Sequence, residues 1–123
     1  MEQSPIFIKT YDLLHWLIPR TLEFPKSQRF VMALRVQQTT LNFYELLVQA
    51  GKGVDRLETL RRADVALEQL RLYLRLCKDL ELLSLRQYEH SVRLTDEIGR
   101  LLGGWLKKVG QAPAGASSDR QTG

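Results

Sequence analysis

Side chains that carry chemistry are scarce in this sequence. There is one cysteine, Cys77, in 123 residues, so neither an internal disulfide nor a cysteine-rich zinc site can be assembled. Set among leucines, it reads as a small buried hydrophobe. His15 and His90 are the only histidines. No Glu-x-x-His pair occurs, which excludes the paired motif of di-iron bundles, and Asp12-x-x-His15 is a single metal-like pair. A phosphate-cradling Gly-Lys-Ser/Thr loop and a nucleophile elbow are both missing. The reading is a protein that is not an enzyme and needs no cofactor.

Long apolar runs are missing too. None approaches the roughly 20 residues that a membrane span requires, so no membrane partner is expected. Residues 1–10 lack the basic-then-apolar pattern of a secretory signal, and the expected location is cytoplasmic. No stretch alternates apolar and polar residues over strand length, which argues against a sheet.

What remains is helical periodicity. Ser4-Pro5 is a helix start, and Phe7, Tyr11, Leu14 and Ile18 follow at helical spacing until Pro19 kinks or ends the helix. After the turn Glu23-Phe24-Pro25-Lys26-Ser27, in which Ser27 is the expected cap, a second helix carries Phe30, Leu34, Leu41, Tyr44 and Val48 and stops at Gly51-Lys52-Gly53. Asp55 and Glu58 form a variant capping box for a third helix running to about Leu82. Ser84 and Gln87 form another for a fourth, with Tyr88, Thr95, Ile98, Leu102, Trp105 and Val109 on one side. The expected fold is all-α, an antiparallel up-down four-helix bundle over residues 1–110. The Gly-, Ala- and Ser-rich residues 111–123 are expected to be a disordered tail.

Two faces exceed what a folded core needs. On the third helix Leu60, Ala63, Leu67, Leu70, Leu74 and Cys77 form a seam at spacings of three and four. Val65, Leu72, Leu76 and Leu83 lie off that seam, so they are either a subunit interface or part of an unusually wide buried arc. On the fourth helix Arg86, Arg93, Arg100 and Lys107 recur every seven residues opposite the apolar seam. Such a stripe can follow a phosphate backbone, or it can be a solvated face neutralised by Glu89, Asp96 and Glu97. Arg71, Arg75 and Lys78 form a second basic cluster, readable as a phosphate site or as an ion-pair ladder with Asp79. Arg61 and Arg62 form a third. The overall balance is 18 Lys and Arg against 14 Asp and Glu, a mild excess that permits a nucleic-acid partner without requiring one. Gly99, Gly103 and Gly104 cost the last helix about 1 kcal/mol each relative to alanine, which points to close approach by a neighbouring helix.

The order of signals resembles a known family: Leu17-Ile18-Pro19-Arg20, then Phe24-Pro25-Lys26-Ser27-Gln28-Arg29-Phe30, then Arg62-Ala63-Asp64 leading to Leu70-Arg71-Leu72-Tyr73-Leu74-Arg75-Leu76. Leu83-Ser84-Leu85-Arg86-Gln87-Tyr88-Glu89-His90 follows, and finally Asp96-Glu97-Ile98-Gly99-Arg100-Leu101-Leu102-Gly103-Gly104-Trp105. Over about residues 7–108 this is similar to the accessory variability determinant (Avd) proteins of diversity-generating retroelements, within the ribosomal S23-like four-helix-bundle superfamily. The resemblance implies a homopentameric barrel of bundles. It further implies association with a reverse transcriptase and with template RNA or cDNA, in support of mutagenic cDNA synthesis, and no catalysis by the protein itself. Arg71, Arg75, Arg86, Arg93, Arg100 and Lys107 are the basic positions carried over as nucleic-acid contacts. A sister branch of structural bundles of the ribosomal-intervening-sequence type, binding only protein partners, is the alternative. Its Pro-x-Asn-Ile-Ala-Glu-Gly run is replaced here by Thr39-Thr40-Leu41-Asn42-Phe43-Tyr44-Glu45.

Overall fold

Four helices follow one another through short turns in a computed structural model that describes residues 4–111. They are α1 (Pro5–Thr21), α2 (Leu34–Gly51), α3 (Arg56–Asp79) and α4 (Leu85–Gly110), with no strand among the described residues. The tail expected to be disordered lies, from residue 112 onward, outside the described residues. Residue pairings fix the directions. Phe7 meets Tyr44 edge-on, whereas Gln37 Nε2 donates to Thr21 Oγ1 at 2.7 Å, so α1 and α2 run in opposite senses. Phe7 also meets Trp105, and Trp16 meets His90, which makes α4 antiparallel to α1. Each helix packs against its two neighbours in an up-down bundle.

Local chemistry explains the ends. Ser84 opens α4 with a complete capping box: its hydroxyl accepts from Gln87 N–H, and Gln87 Oε1 accepts from Ser84 N–H at 2.9 Å. Asp55 does not cap α3, because its backbone is left-handed (φ 39°) rather than extended and its carboxylate cannot swing over the first turn. Between α1 and α2, Ser27 makes no cap either. Residues Lys26–Gln28 form a 3-10 turn, and Arg29–Ala33 form a wider π turn that leads into α2. Pro19 sits inside α1, and the helix continues only two residues beyond it.

The connection after α3 is shorter than its apolar pattern suggests. Helix α3 stops at Asp79, and the amides of Glu81 and Leu82 return to the carbonyls of Lys78 and Cys77, with Glu81 left-handed at φ 63°. This is a Schellman reversal, which satisfies the last free carbonyls. It turns Leu83 into the core at 3% exposure. Leu83 is therefore not available as a subunit interface residue, a correction to the expectation from periodicity.

Two further faces are corrected. The core takes Ile6, Leu13 and Leu17 from α1, and Val36, Phe43 and Leu47 from α2. Of the stripes expected on these helices only Phe7 is buried; Tyr11, Phe30, Leu34 and Leu41 are exposed, and Leu14, Ile18, Tyr44 and Val48 are only half-buried. Both helices carry two apolar stripes, and periodicity alone does not say which one turns inward.

Hydroxyls in the core are satisfied by their own helices. Thr40 donates to Val36 O at 2.7 Å and Thr95 to Ser91 O at 2.8 Å, the usual solution for a buried hydroxyl on a helix. Thr10 is different: its Oγ1 is buried without a hydrogen-bond partner. Replacing Thr10 by Val removes an unpaired hydroxyl at nearly constant shape, and should raise the unfolding free energy by about 1 kcal/mol in denaturant titration. Full burial also pushes the Cys77 thiol up to about 11 from 9.0. Because the folded value is the higher one, the stability that Cys77 contributes is intact below about pH 9 and falls as pH rises toward 11. Cys77 should accordingly react with a thiol reagent at pH 8 only on unfolding.

Candidate nucleic-acid interface

Helix α4 sorts its residues cleanly by side. Ser91, Thr95, Ile98 and Leu102 are buried, and Tyr88, Trp105 and Val109 pack against the same core. Arg86, Arg93, Arg100 and Lys107 all lie exposed on the outer side. At 1.5 Å per residue the stripe is about 30 Å long, with a cation at every second turn.

Two of the three carboxylates that could neutralise this stripe are directed elsewhere. Asp96 accepts from Arg71 Nη1 at 2.7 Å, and Glu97 lies 3.5 Å from Lys9 Nζ on α1. Among the described residues Glu89 makes no ion pair, and none of the four stripe cations is ion-paired either. Packing of α4 against α3 and α1 thus draws two acids off its outer face and leaves the cations open to solvent.

Arg71 has a different role from the one carried over by resemblance. Besides Asp96, it reaches the Thr95 carbonyl through Nη2 at 3.0 Å. Its guanidinium lies across Gly99, where an added Cβ would come within 3.0 Å of Nη2. Gly99 is thus the one glycine of the four on α4 at which a neighbour approaches closely; nothing lies within 4 Å of a Cβ built on Gly103, Gly104 or Gly110. The adjoining groove of about 370 Å³ is lined by Asp64, Glu68 and Asp96 as well as Arg71 and Arg100, so the Arg71 guanidinium sits among carboxylates. Arg71 is a tether between α3 and α4. The ladder through Arg75 does not form, since Asp79 pairs with Lys78 at 3.2 Å. Arg75 is exposed on α3, apart from the α4 stripe, as are Arg61 and Arg62.

On the outer side of α3, Val65, Leu72 and Leu76 are 58%, 63% and 41% exposed. On α1 and α2, Tyr11, Leu22, Leu34 and Leu41 are also exposed; periodicity placed Tyr11, Leu34 and Leu41 in the helical stripes without assigning them to an outer surface. The available signal was the doubling of apolar stripes on those helices. His15 stacks on Tyr11, and His90 leans on Trp16 at 4.7 Å between ring centres. Among the described residues no cluster of three or more His, Cys, Asp or Glu side chains could hold a metal, and no helix is long and apolar enough to cross a membrane.

A family model described as bAvd-like matches residues 6–109. No curated protein matches the chain.

The geometry separates two kinds of arginine. Arg71→Ala should lower stability by about 1 kcal/mol through loss of a partly exposed, charge-assisted pair. Arg93→Gln should change it by less than about 0.5 kcal/mol. Chemical denaturation of the two variants side by side checks the difference.

Proposed function

The chain belongs to the bAvd-like family, and from that premise we propose that it is a non-catalytic accessory protein of a diversity-generating retroelement. In this reading it binds template RNA or cDNA along the outer face of α4 and supports the reverse transcriptase during mutagenic cDNA synthesis. It assembles with copies of itself, as the homopentamer that family membership suggests, with Val65, Leu72 and Leu76 at the subunit contact.

The observation that carries the nucleic-acid part is the unpaired basic stripe. A solvated face of mixed charge would retain its acids beside its cations. Here Asp96 and Glu97 are engaged by Arg71 and Lys9, so Arg86, Arg93, Arg100 and Lys107 present their charge outward. Spacing by whole pairs of turns suits a backbone tracked by charge rather than bases read by pattern. Arg75 is a secondary contact on α3; Arg71, already bonded on two sides, is not a direct one.

Counterion release supplies the test. Four phosphate contacts on a single strand give a slope of about −2.8 for log affinity against log salt, or roughly a 50-fold loss between 50 and 200 mM salt. Binding of a single-stranded RNA, followed by fluorescence anisotropy, should show at least that dependence per protomer. Changing Arg86, Arg93, Arg100 and Lys107 to Gln should weaken binding and flatten the slope. Salt-independent binding, or a quadruple variant that binds like the parent, would instead favour a structural oligomer that engages only protein partners.

A further inference from the structure

One end of the bundle carries a cleft of about 620 Å³, where the first turn of α1, the end of α2, the start of α3 and the last turns of α4 meet. That volume is in the range of sites that hold small organic groups. Phe7, Leu101 and Trp105 supply apolar wall, and two cations, Arg56 and Lys108, line the cleft with them. Among the described residues no carboxylate does. Arg56 is held in place by its Nε, which donates to the Ala50 carbonyl at 2.9 Å, and neither cation is ion-paired among the described residues. Around the cleft Lys52 and Lys107 offset Asp55 and Glu58, and Lys9 is paired with Glu97. The charge of Arg56 and Lys108 therefore stands uncancelled.

Gly104 gives the cleft its shape. Glycine weakens a helix, and no neighbour within the chain accounts for one here, since nothing lies within 4 Å of a Cβ built at this position. The space that a side chain would take belongs to the cleft. Bare backbone beside the half-buried Trp105 indole, itself tilted on Phe7 at 6.1 Å between ring centres, suits a flat group. Gly104 is also four residues after Arg100 and three before Lys107, so on the helix surface it adjoins the last two cations of the stripe.

We propose that this cleft holds one unpaired base of the strand bound by the stripe, stacked on Trp105 over Gly104, with an adjoining phosphate at Lys108 and Arg56. This rests on the reading of the stripe as a nucleic-acid contact, and it adds a base site to a surface otherwise made of charge. Stacking uses the π face that every base has, so the site is tolerant of sequence. It is not tolerant of pairing. A base inside a duplex has both faces covered by its neighbours, and the cleft thereby selects single strands.

Two oligomers of equal length and charge separate this site from the stripe: oligoadenylate and its abasic counterpart, each titrated against the full chain by fluorescence anisotropy. Oligoadenylate should bind at least about 5-fold more tightly, because a stacked base is worth roughly 5- to 150-fold in affinity. Gly104→Leu fills the cleft while installing a better helix former. It should reduce oligoadenylate binding to the abasic level and leave abasic binding and its salt slope as in the parent. Gly103→Leu makes the same change outside the cleft and should bind both oligomers as the parent does. Trp105→Ala, with the fold checked by circular dichroism, should repeat the Gly104→Leu result. Equal binding of the two oligomers by the parent, or a Gly104→Leu variant that keeps the parent's preference, would overturn the base site, and a persisting salt slope would then leave the stripe standing. A Gly104→Leu variant that loses only a protein partner would give the cleft to a protein segment and overturn it too. A preference for oligoadenylate that survives Gln at all four stripe positions would support the base site and remove the stripe.

Discussion

A helix in a four-membered bundle can turn only one side to the core, and most of what distinguishes this molecule follows from that limit. The core is filled by one stripe from each helix, centred on Leu13, Phe43, Leu70 and Ile98, all fully buried. Helices α1, α2 and α3 carry more apolar surface than one stripe can hide. The remainder has to lie outside, because a fifth neighbour does not exist within the chain. Helix α4 leaves only Leu85 among its large apolar residues exposed, and its outer side carries the basic stripe.

Charge is organised by the same packing. Bringing α4 against α1 and α3 places Glu97 beside Lys9 and Asp96 beside Arg71. Neither pair is deeply buried, and each contributes little to stability by itself. Their larger effect is on the surface they leave behind, since the stripe from Arg86 to Lys107 loses two of the carboxylates that sequence spacing had set within reach. Removal of acids can make a basic face as effectively as addition of cations. Gly99 belongs to this arrangement, because a side chain there would press on the Arg71 guanidinium that holds Asp96.

Turn chemistry decides which residues belong to the core and which do not. The left-handed Glu81 ends α3 three residues earlier than the apolar pattern suggests, and so delivers Leu83 inward. The π turn Arg29–Ala33 enters α2 with Phe30 on the outside, at 81% exposure, and Met32 and Ala33 inside. Backbone hydrogen bonding over five residues, rather than hydrophobicity, selects among neighbouring apolar side chains at both places.

Four helices, their order, the seam of α3 and α4, the capping box at Ser84 and the isolation of the basic stripe on one side of α4 were all legible in the amino-acid order, because they depend on residues three, four or seven apart. The inward faces of α1 and α2 were not. Tyr11 and Leu41 are as apolar and as regularly placed as Leu13 and Phe43, and a period of 3.6 residues is blind to which of two stripes meets another helix. The partner of Asp96 was also beyond local reading, since Arg71 is 25 positions away. By itself, then, the sequence determined the helices and what each could present. Tertiary packing decided which apolar stripe was buried and which acids were taken, since those choices depend on contacts between residues distant in the chain.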